Sequence, residues 1–361
     1  MSVKKNIRVL IVDDSALTRK ILSEILSSDA EIEVVGTAMD PYIARTKIKQ
    51  LNPDVLTLDI EMPKMNGINF LKNLMRLRPM PVVMVSTLTQ KGADLALEAL
   101  GLGAVDYVGK PDVISETSLA DYSEDIISKI KIAASVNNTP CSSKIKPRTL
   151  LPARSSKSTT SIRKDNGQSM VVIGASTGGT EAIKEIVTSL KPGTYSLIVV
   201  QHIPRAFSTA FAERINDISA LEVCEAKDNQ QILPGHVYIA PGDQHLKVAR
   251  NENTNLFYCK LDDGEAINRH KPSVDVLFRS ACKSAGNNTI GILLTGMGSD
   301  GARGLKEMHD AGAVTIAQDE QSSIVWGMPG EAVKIQAADF ILPLNKIADK
   351  VAALMQKCSD Q

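Results

Sequence analysis

The stretch from Val171 to Thr180, Val-Val-Ile-Gly-Ala-Ser-Thr-Gly-Gly-Thr, has the residue types and spacing to present a nucleophile. β-Branched residues run into Gly174, Ser176 falls at the turn, and Gly178 and Gly179 open a segment with an apolar stripe of Ile183, Ile186, Val187 and Leu190. A strand, a tight turn and a helix in that order place Ser176 at the carboxyl edge of a sheet, beside helical N–H groups that attract an anion or a developing oxyanion. The string Gly-x-Ser-x-Gly is short, so a phosphate or dinucleotide cradle and an ordinary tight turn compete with the nucleophile.

Two further strand ends answer the one that carries Ser176. Val199-Val200-Gln201-His202 sets an imidazole just past a strand, and Leu293-Leu294 leads through a glycine-rich loop to Asp300. If the three strands are neighbours, these groups share one crevice. His202 would take the serine proton and later return one to the leaving alkoxide, Asp300 would fix the imidazole, and backbone N–H groups of the Ser176-Thr177 turn or near Met297 would face the oxyanion. Taken singly, His202 could cap the turn before Pro204, and Asp300 could cap the helix that follows it.

A second constellation lies near the amino terminus. Asp13 and Asp14 end one apolar run, Asp59 a second, Ser86 a third, and Lys110 with Pro111 a fourth. Clustered carboxylates repel and need a cation. Mg²⁺ suits them, because it takes oxygen ligands and keeps waters that a phosphoryl oxygen can replace. Asp59 would attack phosphorus in line to give an acyl phosphate, with the ion and Lys110 neutralising the equatorial oxygens and Ser86 donating to one of them. The metal set is then Asp13, Asp14, Asp59 and the backbone carbonyl of Glu61. Each acid alone could be a solvated loop residue, and Lys110 alone a surface lysine.

The elements that must position these groups alternate between strand and helix periodicity. The first set comprises strands at 8–12, 34–37, 55–58, 82–85 and 105–108, with a closing helix at 121–134. After residue 169 the rhythm resumes, with strands at 197–200 and 290–294 and short strands at 237–240, 246–248 and 257–259 that suggest a hairpin excursion. A helix at 331–338 and a strand at 341–342 close this set. Between the two, the only acid from Asn137 to Gln168 is Asp165, against Lys144, Lys146, Arg148, Arg154, Lys157, Arg163 and Lys164, and apolar periodicity stops. Such a segment cannot repay its ordering entropy by burial. The chain therefore divides into domains at 1–134 and 169–355 joined by a flexible basic linker at 135–168, and its 361 residues suffice for two cores.

Formal charge is zero, with 41 basic and 41 acidic side chains, which argues against nucleic acid as the partner. The first apolar run stops at Asp13, too early for a signal or membrane segment, so no direct membrane insertion is expected. Five cysteines without close metal spacing point to reduced thiols and a cytoplasmic location.

Residues 8–125 closely resemble the receiver domain of bacterial two-component response regulators, with Asp13, Asp14, Asp59, Ser86, Tyr107 and Lys110 at that family's motif positions. The resemblance implies a flavodoxin-like (βα)5 fold, phosphorylation of Asp59 by a partner histidine kinase, and coupled movement of Ser86 and the Tyr107 ring. The second domain departs from the Ser, acid, His order of α/β-hydrolases. Its strings Gly174-Ala-Ser-Thr-Gly-Gly179, Gln201-His202-Ile-Pro204, His270-Lys-Pro-Ser-Val-Asp275 and Leu294-Thr-Gly-Met-Gly-Ser-Asp-Gly301 instead resemble the catalytic domain of the chemotaxis protein-glutamate methylesterase family.

That resemblance implies a Rossmann-like, mostly parallel α/β domain, with Thr177 and Met297 beside the nucleophile and oxyanion. It implies a monomeric serine hydrolase, with no cofactor for the ester step, that removes methyl esters from methyl-accepting chemotaxis receptors and releases methanol. Many members also deamidate receptor glutamines, which the sequence leaves open. An unphosphorylated receiver covering the Ser176 crevice is the expected gate. Three rivals remain: a phosphorylation-controlled binding module, a DNA-binding regulator resting on the basic linker, and the same esterase chemistry in another chemosensory pathway.

Overall fold

The computed structural model describes residues 6–63, 65–87, 89–110, 116–136, 169–193 and 195–359. The amino-terminal sheet contains β1 (Ile7–Val12), β2 (Ile32–Ala38), β3 (Val55–Asp59), β4 (Val82–Ser86) and β5 (Asp106–Gly109), in the order β2-β1-β3-β4-β5 with every pairing parallel. Between and after them run α1 (Ala16–Ser27), α2 (Pro41–Leu51), α3 (Gly67–Leu77), α4 (Gln90–Gly101) and α5 (Glu116–Ser135). β3, β4 and the core of β1 are apolar on both faces because helices cover both. Leu22, Ile25, Ile126 and Ile130 of α1 and α5 fill one side, and Ile48, Leu71 and Leu97 of α2, α3 and α4 fill the other.

Local chemistry sets the helix ends. Ser15 caps α1 through Thr18 N–H, and Asp40 caps α2 through the N–H groups of Tyr42 and Ile43, with Pro41 pre-set for the first turn. Asn52 closes α2 in the left-handed region at φ 46°, a conformation asparagine tolerates. The closing helix begins at Glu116, a turn before the expected Asp121.

The second sheet has seven strands in the order β14-β13-β12-β6-β7-β9-β8, and all of its pairings are parallel. They are β6 (Ser169–Ala175), β7 (Tyr195–Gln201), β8 (Glu222–Glu225), β9 (His236–Ile239), β12 (Thr289–Leu293), β13 (Val314–Gln318) and β14 (Phe340–Leu342). The helices are α6 (Gly179–Ser189), α7 (Arg205–Asn216), α8 (Val274–Ala285), α9 (Ala302–Asp310), α10 (Met328–Lys334) and α11 (Leu344–Ser359). β10 (His245–Arg250) and β11 (Phe257–Asp262) form a separate antiparallel hairpin.

Three expectations are corrected here. The strand near 237–240 is not part of the hairpin: β9 buries Val237, Tyr238 and Ile239 in a continuous run and pairs with β7 inside the main sheet. β8, short and half polar, carries no clear alternation and was not anticipated. The domain closes on α11, beyond the expected helix and strand, and the helix placed at 331–338 is α10 at Met328–Lys334. The flexible linker expected at 135–168 falls, apart from its first two residues, outside the described residues, as does Pro111.

The two sheets do not stand apart. α4 packs on α7, and Leu97, Leu100 and Tyr107 join Phe207, Ala210 and Phe211 in one continuous apolar cluster. The Tyr107 and Phe207 rings stack with centroids 4.5 Å apart.

Candidate functional sites

β6 lies between β7 and β12, so the chain leaves it in opposite directions on either side. That reversal opens a crevice at the carboxyl ends of the strands. Ser176 follows β6, His202 follows β7, and the loop after β12 carries Asp300, so the three groups predicted to meet come from three adjacent strands.

The backbone of Ser176 is held from both sides. Its N–H donates to the Thr295 carbonyl at 3.0 Å, and its carbonyl accepts from Gly179 N–H at 2.7 Å and Gln201 Nε2 at 2.9 Å. Gly178 turns at φ 77°, and Ile324 would lie under 3 Å from a Cβ there, so a larger residue fails on both counts. Gly296 lets its loop approach to where a Cβ would sit 2.7 Å from Ser176 Cβ.

His202 Nε2 lies 3.0 Å from Asp300 Oδ2, while its Nδ1 is buried without a hydrogen-bond partner. No hydrogen bond joins Ser176 to His202 among the described residues. Both nevertheless line the same cavity of about 290 Å³. Asp300 is 1% exposed and caps a helix, though not the one after it. Its carboxylate accepts from Val274 N–H at 2.7 Å at the start of α8, from Ser273 Oγ at 2.8 Å and from Asn268 Nδ2 at 2.8 Å. Burial alone would raise its pKa, but His202, Asn268 and the Val274 N–H outweigh that and hold it well below the ordinary carboxylate range.

Of the oxyanion groups expected from sequence, Ser176 N–H is unavailable because Thr295 takes it. Among the described residues, the N–H groups of Thr177 and Met297 have no partner. The Thr177 hydroxyl donates to Asp106 Oδ2 of the amino-terminal domain at 2.7 Å, and Met297 Sδ lies 2.8 Å from Ser128 Oγ of α5. Arg269 pairs with Glu124 of α5 across the same seam. The cavity beside Ser176 is accordingly walled on one side by Leu100, Asp106, Tyr107 and Lys129.

Three contributors were not anticipated. The His270 ring stacks on His202 with centroids 3.7 Å apart; burial first, and then His202, push its pKa down to about 4, so it is neutral near pH 7. Asn268, at φ 52°, bridges the buried carboxylates of Asp275 and Asp300 with one amide nitrogen, at 3.0 and 2.8 Å. Gln201 clamps the nucleophile turn. Gln201 and His270 stand inside the motif strings, but nothing in their spacing assigns these contacts.

At the other site, Asp13, Asp14 and Asp59 each offer an oxygen, all within 4.8 Å of one another. Lys110 Nζ is 2.8 Å from Asp59 Oδ2 and 3.4 Å from Asp13 Oδ2, and the latter atom has no hydrogen bond. Burial, with help from Asp13, lifts Asp59 to about 6 despite Lys110. Buried oxygens short of donors are what a hard divalent cation completes, so the residues fit Mg²⁺. Glu61 N–H donates to Asp59 Oδ1 at 3.2 Å. The Ser86 hydroxyl lies 3.2 Å from both the Thr87 and Gly92 carbonyls.

An acid pocket on a five-stranded doubly wound sheet, packed over a second parallel domain with a serine, histidine and aspartate crevice, defines a response regulator with an enzyme-like output domain. Residues 9–119 match the response regulator receiver domain, and residues 171–351 match CheB methylesterase. A Hydrogenovibrio crunogenus protein named protein-glutamate methylesterase/protein-glutamine glutaminase is 52% identical, over 97% of this chain and 99% of its own length. A Saccharophagus degradans protein of the same name, numbered 2, is 56% identical over 96% of this chain and 98% of its own. The Thermotoga maritima CheB methylesterase catalytic domain superposes with a TM-score of 0.50 at 37% identity, covering 52% of this chain and 99% of that structure. The chain belongs to the CheB methylesterase family.

Proposed function

We propose that this chain is a phosphorylation-activated protein-glutamate methylesterase, which removes methyl esters from glutamate side chains of methyl-accepting chemotaxis receptors and also deamidates receptor glutamines. The observation that carries the reading is the cavity lined by both Ser176 and His202, with the imidazole already hydrogen-bonded to Asp300.

Ser176 Oγ attacks the ester carbonyl as His202 takes its proton through Nδ1, the ring nitrogen left free by Asp300. The oxyanion is met by the N–H groups of Thr177 and Met297. Collapse expels methoxide, which leaves as methanol with the proton from His202, and water then releases the glutamate by the same steps in reverse order. An amide follows the same route, with ammonia leaving. The Ser176 to His202 bond closes as substrate binds, since such bonds are often unmade in an empty site.

Control resides in residues 1–134, joined through 135–168 to the hydrolase at 169–355. A histidine kinase supplies the phosphoryl group to Asp59. Asp13, Asp14, Asp59 and the Glu61 carbonyl would hold Mg²⁺, which neutralises charge during the transfer. Lys110 then pairs with the phosphoryl oxygens, the Ser86 hydroxyl leaves the Gly92 carbonyl to donate to one of them, and the Tyr107 ring follows. That movement loosens its stack on Phe207 and uncovers the crevice. The protein acts as a cytoplasmic monomer. Among the described residues, no helix is long and apolar enough to cross a membrane.

Methanol release from methylated receptor membranes tests both halves, with wild type, Ser176→Ala and Asp59→Asn run in parallel. Turnover should vanish in the first variant, and stimulation by a phosphoryl donor should vanish in the second. Undiminished release by Ser176→Ala removes the esterase reading.

A further inference from the structure

The amino-terminal domain has one side that no other described residue of the chain covers. α4, β5 and α5 face the hydrolase domain, but α2 and α3 flank an open groove of about 580 Å³. Phe70 and Leu74, which belong to the domain core, form its floor, and Leu77, one turn on along α3, stands as an apolar wall with Tyr42 on α2 and Met65 in the loop after β3. Leu77 is 70% exposed and Tyr42 56%, which is high for large apolar groups placed side by side. A second hollow, lined by Tyr42, Arg45 and Lys49, adjoins it.

The rim has one sign of charge. α2 carries Arg45, Lys47 and Lys49, α3 carries Lys72 and Arg76, Arg78 follows, and neither helix contains an acid. The whole chain is balanced at 41 to 41, so this face is a local excess. Arg78 bonds to the Ile48 carbonyl and Lys47 to the Thr37 carbonyl, whereas Arg45 and Lys49 have no ion pair among the described residues. The segment 137–168 of this chain is itself basic and is therefore a poor match for this face.

We propose that the groove between α2 and α3 docks an acidic amphipathic helix of a partner protein, its apolar stripe against Phe70, Leu74, Leu77 and Tyr42 and its carboxylates against Arg45 and Lys49. At 1.5 Å per residue the eleven residues of α2 span about 16 Å, room for roughly three turns of such a helix. Met65 places one end of the groove next to the loop that leaves Asp59, so a docked partner stands beside the phosphoacceptor.

The test uses the full chain and a labelled synthetic helix with leucine along one stripe and glutamate elsewhere. The comparison probes are the same peptide with lysine for glutamate, phosphatidylglycerol vesicles and a single-stranded RNA 20-mer. By anisotropy, wild type should bind the acidic peptide at least tenfold more tightly than the basic one. Both Arg45→Glu/Lys49→Glu and Leu77→Ser should weaken it fivefold or more with unchanged thermal midpoints. Equal binding of the two peptides, or indifference to Leu77→Ser, overturns the proposal. So does RNA or vesicles competing at full strength against Leu77→Ser, since a bare cationic patch would then suffice. Methanol release should be unchanged in these variants, whose exposed positions lie away from the Ser176 crevice, so failure here leaves the esterase reading standing.

Discussion

The two acidic centres of this protein are built on opposite terms. At the Asp59 pocket, carboxylates crowd with, among the described residues, a single cation, Lys110, and burial raises the pKa of both Asp13 and Asp59. At the Ser176 crevice, Asp300 is as buried as Asp59 but is supplied with donors from His202, Ser273, Asn268 and Val274, and its pKa falls. The number of donors, not the depth, decides the sign. The under-supplied site has the oxygens that suit a hard cation. The fully supplied one is prepared to hold one charge in one place.

The largest expected effect separates chemistry from binding. Ser176→Ala should lower kcat for methanol release by on the order of 10⁴ or more while phosphorylation of Asp59 proceeds at its usual rate. A loss confined to KM would mean that Ser176 binds substrate and that no nucleophile has been found.

Next comes the supply of donors itself. Asn268→Ala strips one donor from Asp300 and the bridge to Asp275, leaving two facing carboxylates in a dry site. A kcat about ten- to a hundredfold lower is expected, with KM within about twofold and the pH profile of kcat displaced, because misplaced groups lose rate steeply. An unchanged pH profile would make Asn268 a structural residue only, and the contrast between the two acids would lose its best support.

How far this contrast could be read in the sequence depends on where each site keeps its parts. The phosphoacceptor residues all end predicted strands, so Asp13, Asp14, Asp59, Ser86 and Lys110 could be found from periodicity alone. Ser176, His202 and Asp300 follow strands too, and β6, β7 and β12 are indeed neighbours. What escaped lies off the strands. Asn268 and His270 sit in an irregular loop that has left-handed backbone at Asn268 and Arg269, and no periodic pattern marks where such a loop returns. Local spacing offers Asp300 as a cap for its own following helix, whereas it caps α8, a tertiary contact that spacing cannot reveal. Asp106, inside a strand run, gave no sign that it would cross to Thr177.

A smaller effect probes the seam between the sites. Phe207→Ser removes the stack on Tyr107 and should raise basal turnover of the unphosphorylated chain about three- to tenfold, matching roughly 1 kcal/mol of aromatic packing. Phosphorylated enzyme should change less, since its seam is already loosened. Equal activation in both states would place the effect in the hydrolase domain and not in the gate.

The smallest effect concerns His270, neutral against His202. Its pKa falls from 6.5 in the unfolded chain to about 4 in the folded one. Between these values the unfolded chain binds a proton that the folded chain refuses, so stability falls as pH drops through 6.5 and levels off only below about 4. From pH 7 to 5.5 this one group should remove about 1 kcal/mol by linkage. His270→Phe keeps a ring against His202 without a titrating proton, so urea midpoints of variant and wild type should diverge as pH falls, with wild type losing more. Asp59, raised by its own burial, shifts stability in the opposite sense in both proteins and cancels in the difference. Parallel pH curves would mean that His270 stays solvated enough to titrate normally, and the stacked pair would then be a poor insulator for the proton that the proposed mechanism assigns to His202.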